Sequence, residues 1–142
     1  MKPHSINIVL TFLIGSVLVI GCGSMTNAKP TAELGVTRFH ALFNEGKFQE
    51  IYDTSDSVFK DATTPEKMLE LFDAVNRKLG KIKSTQSQTW NVKNFNLTTQ
   101  AVMVQKTEFE HGTGTETFTF KIDGDKAILQ GYYINSNDLI TK

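Results

Sequence analysis

The stretch Thr115-Glu116-Thr117-Phe118-Thr119-Phe120-Lys121-Ile122-Asp123-Gly124 decides the architecture. Phe118, Phe120 and Ile122 alternate with polar residues, the two-residue period of a strand with one face against a core. Asp123-Gly124 is a two-residue hairpin signal, because both residues tolerate the positive φ that such a turn requires. Lys126 to Asn135 then reads as a last strand, apolar on both parities: Ala127, Leu129 and Tyr133 against Ile128, Tyr132 and Ile134. That pattern predicts a central strand or one covered on both faces.

Working back, His111-Gly112-Thr113-Gly114 predicts a loose turn. A strand lies within 96–109 around Ala101-Val102-Met103-Val104. An earlier, more polar strand starts near Lys81 and places Ile82, Trp90 and Val92 on one parity. Proline is absent from Lys81 onward and Thr, Val, Phe and Gln are frequent, as in a sheet.

Before Lys81 the period is helical. Thr31 is an expected N-cap, Val36, Phe39, Leu42 and Phe43 form one apolar stripe, and Gly46 closes the helix. Phe48, Ile51 and Tyr52 mark a short second helix, broken at Asp53-Thr54-Ser55-Asp56. The third helix has Thr64 as N-cap, Pro65 at its first position, Arg77 and Lys78 near its negative end and Gly80 after it. Met68, Leu71, Phe72, Val75 and Leu79 are its expected buried face. Three helices followed by an antiparallel sheet of four strands or more make one α+β domain over 31–142.

The start of the chain has a different character. Met1 and Lys2 precede an apolar run from Ile6 to Ile20, about 15 residues and short of the ~20 needed to span a bilayer. Leu18-Val19-Ile20-Gly21-Cys22 resembles a bacterial lipobox, with Val19 where leucine is usual. The resemblance implies a signal peptide over 1–21, cleavage before Cys22, and diacylglycerol and fatty acyl chains such as palmitate on that residue. Two or more chains give stable membrane anchoring. Gly23, where an aspartate would mark inner-membrane retention, implies the outer membrane, facing the periplasm, in a two-membrane cell. Residues 22–30 read as the lipidated cysteine and a flexible tether, reaching up to ~28 Å when extended.

Composition narrows the partners. The chain has 15 Lys plus Arg against 15 Asp plus Glu, and loss of Lys2 with the leader leaves 14 against 15, a net charge of −1. Nothing in that balance favours nucleic acid. Cys22 is the only cysteine, so the mature domain folds without disulfides.

Helices first, then long antiparallel strands, is the order of the nuclear-transport-factor-2-like (cystatin-like cone) superfamily. Within it, Leu79-Gly80-Lys81-Ile82-Lys83-Ser84, Thr107-Glu108-Phe109-Glu110 and Gly131-Tyr132-Tyr133-Ile134-Asn135 resemble an uncharacterised family of small secreted or lipid-anchored bacterial proteins. The resemblance implies a curved sheet that holds the helices in its concave face, cone-like, with one open end. Tyr52, Trp90 and Tyr133 are the expected pocket residues there, because their polar atoms need partners when buried. Phe109 and Phe118 are expected on the same concave side, filling the core or lining the cavity.

Enzymes of this superfamily need a buried acid or histidine and a donor facing the developing oxyanion. His40, one residue from Phe39, reads as a boundary histidine, and His111 lies in a turn. Asp53 and Asp56 fit local turn hydrogen bonds. Glu108 and Glu110 point to water if Phe109 points inward, and no acidic residue is expected on an apolar face of the sheet. No metal-ligand spacing, catalytic elbow or phosphate loop is present, so no metal, cofactor or catalytic residue is assigned. The sequence therefore predicts a lipid-anchored binding or interaction module without enzymatic activity, engaging a protein or a small apolar ligand. The polar run from Lys83 to Gln88 suggests a monomer or weak homodimer. The alternative is an isomerase or dehydratase-like enzyme with His40 or Asp53 as base and Tyr52 or Tyr133 as donor.

Overall fold

Gly46 takes φ +69°, a left-handed conformation, and there the first helix stops. Its amide donates to Phe43 O and that of Lys47 to Leu42 O, which satisfies two terminal carbonyls. A computed structural model describes residues 27–141. The signal peptide over 1–21, the lipobox and Cys22 lie outside the described residues.

Helix α1 spans Ala28–Asn44. It starts earlier than Thr31: the Thr31 amide donates to Asn27 O, and Thr31 is buried inside the helix. Ala28, Lys29 and Pro30 are therefore helical, not tether. Proline is tolerated there because a first-turn amide has no helical acceptor. Helices α2 (Phe48–Asp53), α3 (Ser57–Ala62) and α4 (Pro65–Leu79) follow. Four helices thus precede the sheet, not three. The extra one, α3, is six residues long, buries only Phe59 and starts where Asp56 caps the Val58 amide at 3.0 Å. In α4 the Thr64 cap and Pro65 stand where expected. Glu66 is held below its ordinary pKa by its own backbone amide and by the Thr64 hydroxyl. Leu71 is not part of the buried face; it sits at the edge of the Met68, Phe72, Val75 and Leu79 stripe.

The sheet is a curved, unclosed antiparallel meander in the order β1 (Ile82–Phe95), β2 (Thr98–Phe109), β3 (Gly112–Asp123) and β4 (Lys126–Asn135). A short helix α5 (Asp138–Thr141) ends the described chain. The β2–β3 connection is tighter than a four-residue turn: Phe109 pairs with Gly112 across Glu110 and His111. Helices cover the face that carries Ala101, Met103, Phe118 and Phe120, and the core forms between them. We call this the inner face.

β4 is an edge strand, not a central one. Its apolar residues on both parities have another cause. Phe120 pairs with Leu129 but Phe118 pairs with Tyr132, so one extra residue is inserted on β4. Ala127 and Leu129 face inward before the bulge, Tyr132 and Ile134 after it. β1 carries two such shifts, between Ile82 and Ser84 and between Ser87 and Thr89. Thr85 and Ser87 thus face inward in the middle, and the second shift brings Trp90 and Val92 back to that side.

Candidate functional site

Glu116 is the most consequential side chain on the inner face. It shares the parity of Phe118 and Phe120 and has 0% exposure, so an acid does lie on the apolar face of the sheet. A buried carboxylate needs compensating donors. Three elements supply them. His40 Nε2 on α1 lies 2.8 Å from Glu116 Oε2 and Thr107 Oγ1 on β2 lies 2.5 Å from the same oxygen, while the Tyr132 hydroxyl on β4 donates to Oε1 at 2.8 Å. Thr107 spends its one proton on Glu116, which makes Thr85 the donor in their 3.2 Å contact. Thr85 is exposed, so this chain of hydrogen bonds reaches water at the β1 edge.

His40 is accordingly a buried residue rather than a boundary one. Its ring packs edge-on to Phe118 at 5.6 Å and Phe39 at 6.0 Å. With Val36 and Phe43 it falls at i, i+4 and i+7, squarely on the helix stripe. Tyr132 feels the carboxylate in return: desolvation, the negative charge of Glu116 and the hydrogen bond to it push the phenol well above its ordinary pKa of 10.0.

The expected pocket residues are placed apart. Tyr52 is buried and donates to Thr63 O at 3.0 Å, against Phe59. Trp90 is on the inner face of β1 but half exposed, with Lys29 Nζ 5.7 Å from its ring centre. Tyr133 pairs with Thr117 on the outer face and is exposed, because the β4 bulge turns Tyr132 inward in its place. Asp53 is exposed and accepts from Gln49 at 2.8 Å. His40 or Asp53 as base is not brought to Tyr52 or Tyr133 as donor; His40 meets Glu116 and Tyr132 joins the same carboxylate.

The space beneath the helices is small. A cavity of about 40 Å³ lies between Gly35, Phe39 and Leu42 of α1, Ile51 of α2, and Phe120 and Leu129 of the sheet. It has room for a few waters, and Glu116 is not in its wall. Around Glu116 the interior is filled by rings: Phe39 stands 5.0 Å from Phe118, 4.7 Å from Tyr132 and 5.6 Å from Phe72. Among the described residues no three His, Cys, Asp or Glu side chains are grouped to hold a metal ion.

The model of a family described as a protein of unknown function (DUF3887) matches residues 36–130. The chain belongs to that family. The matched span carries His40, Thr107 and Glu116, and ends two residues before Tyr132. No curated protein matches the chain. Among solved structures it is similar to Bd1075 of Bdellovibrio bacteriovorus, with 16% identity and a TM-score of 0.41 over 72% of this chain. The match covers 40% of that protein, so this chain spans less than half its length.

Proposed function

We propose that this member of the DUF3887 family is a lipid-anchored binding or interaction module of the cell envelope, without enzymatic activity. The observation that carries the reading is the ring-packed surround of Glu116, whose buried carboxylate is engaged by three protein donors. A group spent on its own fold is not presented to a substrate. The order of helices and bulged strands supports the cone-like, nuclear-transport-factor-2-like likeness. Leu18-Val19-Ile20-Gly21-Cys22 supports acylation of Cys22 and an outer-membrane, periplasm-facing address in a two-membrane cell. The partner is then a protein or small apolar ligand met outside the closed core, by a monomer or weak homodimer. Incorporation of labelled palmitate into the native chain and its loss in Cys22→Ala test the anchor. A substrate turned over by the wild type and not by a folded Glu116→Gln variant would overturn the non-enzymatic part.

One observation favours a second reading. A buried His–Glu pair beside a tyrosine hydroxyl has the parts of an isomerase or dehydratase: a base at Glu116 and donors at His40 and Tyr132. It requires the inner face to open at the Thr85 edge. A ligand that protects backbone amides of β1 and β2 from hydrogen exchange, and shifts the His40 ring resonances, would support it.

A further inference from the structure

We infer that the β1–β2 hairpin tip is a second membrane contact, inserting Leu97 and Phe95 into the lipid surface to which the acylated Cys22 fastens the chain. The inference rests on the lipoprotein reading of Cys22. Phe95 pairs with Thr98, so Asn96 and Leu97 form a two-residue turn, with φ +47° and +63°. Asparagine accepts that conformation and leucine does so at a cost. Leu97 nevertheless occupies the position glycine would favour, and its side chain is wholly exposed. Phe95, beside it on the outer face, is 76% exposed. An apolar side chain held in water on a strained backbone gains nothing for the fold, and residues of that kind mark contact sites.

The topology says which surface lies opposite. In a meander the turns at 96–97 and 124–125 share one end of the sheet, and the turn at 110–111 lies at the other. Helix α1 begins at the first end: Asn27, Pro30, Thr31 and Leu34 border one cleft with Gly124 and Asp125. It finishes at the second end, where the Asn44 side chain bonds both Ile82 N and Ile82 O. The chain therefore enters the domain on the side of the hairpin tip. Cys22 and Ala28 are six Cα–Cα steps apart, a reach of at most ~22 Å. An acylated Cys22 holds this end, and not the other, at the bilayer. Leu34, 67% exposed, adds to its apolar surface. Lys29, Lys93 and Lys126 there are offset by Glu33, which pairs with Lys29, and by Asp123 and Asp125, so the contact is apolar and does not select anionic lipid.

The test uses the full chain, processed and acylated in a bacterial host and reconstituted in phosphatidylcholine vesicles. Acylation leaves no free thiol, so Leu97→Cys takes a single nitrobenzoxadiazole label, and Glu45→Cys labels the opposite end. The expected result is a blue-shifted emission at position 97 that is lost when the vesicles carry a doxyl-lipid quencher, with water-like, unquenched emission at position 45. Adding Phe95→Asp to the Leu97→Cys chain should move the emission back toward that of water. Water-like emission at both positions, or equal quenching at both, overturns the insertion. Mass spectrometry of the same sample separates the two failures: with Cys22 acylated only the tip contact falls, and with a bare thiol the lipoprotein reading falls with it.

Discussion

His40 Nε2 and Glu116 Oε2, 76 positions apart in sequence, meet at 2.8 Å and fasten α1 to the third strand. Because Glu116 has 0% exposure, removing it leaves three donors facing apolar rings. Glu116→Ala should destabilise the fold by about 3–5 kcal/mol, the usual cost of breaking a buried charged network. Thr107→Val removes one donor of three and should cost about 1–2 kcal/mol. Urea unfolding of both variants checks the order. A double-mutant cycle with His40→Ala and Glu116→Ala should return a coupling of about 0.5–3 kcal/mol, as expected of residues in one network.

Tyr132 makes this network sensitive to alkali. Its folded pKa is raised, with desolvation the largest cause, followed by the charge of Glu116 and the hydrogen bond to it. An unfolded tyrosine releases its proton near pH 10, while the folded one keeps it. The contribution of Tyr132 is thus complete below about pH 10 and is lost as pH climbs toward the folded value. The urea midpoint should fall between pH 9 and about 11 more steeply in the wild type than in Tyr132→Phe. Equal slopes would mean that the phenol is not desolvated as described.

The Tyr132–Tyr133 pair also shows how far the sequence could be read. Alternation in Phe118, Phe120 and Ile122 identifies the inner face of β3 because that strand holds one parity along its inward run. On β4 a single inserted residue exchanges the faces midway, and Gly131 beside it is the one local sign, since glycine inside a strand often marks a bulge. A constant parity therefore points Tyr133 inward and Tyr132 outward, the reverse of what the bulged strand does. Glu116 was legible, since it shares the parity of Phe118, and His40 was legible at i+4 from Val36. Neither is expected inside, because a charged or titratable residue in a core is uncommon unless paired. Their pairing depends on β3 and α1 meeting, which is tertiary information. Helix α3 carries no legible signal, because six residues with one buried ring give no measurable period.

Gly35 sets the distance between α1 and the sheet. A Cβ built there would stand 2.7 Å from Ala127 Cβ and 3.0 Å from the Phe120 ring. Neither neighbour is the free end of a flexible chain, so one element must move. Gly35→Ala gains helix propensity of about 1 kcal/mol, but overpacking of this kind costs about 1–3 kcal/mol. The net change should be destabilising in thermal unfolding. Adding Ala127→Gly should return stability toward the wild type, because it removes the atom that is struck. A stabilised Gly35→Ala would show that α1 can rise off β4 without loss.

Leu97 offers the opposite case, a position where the native residue opposes the fold. Its φ of +63° follows Asn96 at +47°, so both central residues of the turn are left-handed. Glycine takes that conformation without the Cβ clash, although it gives up more freedom on folding. The balance favours glycine at a left-handed position, and Leu97→Gly should stabilise the domain by roughly 0.5–1 kcal/mol, because the strain of a left-handed L-residue exceeds the extra entropy lost. No packing is forfeited, since the leucine side chain is wholly exposed. Thermal unfolding of the acylated chain in detergent measures the gain. The same substitution made in vesicles should give less gain, or none, if bilayer contacts stabilise the leucine in its strained place. An equal increment in both media would leave Leu97 as a strained residue with no compensating contact.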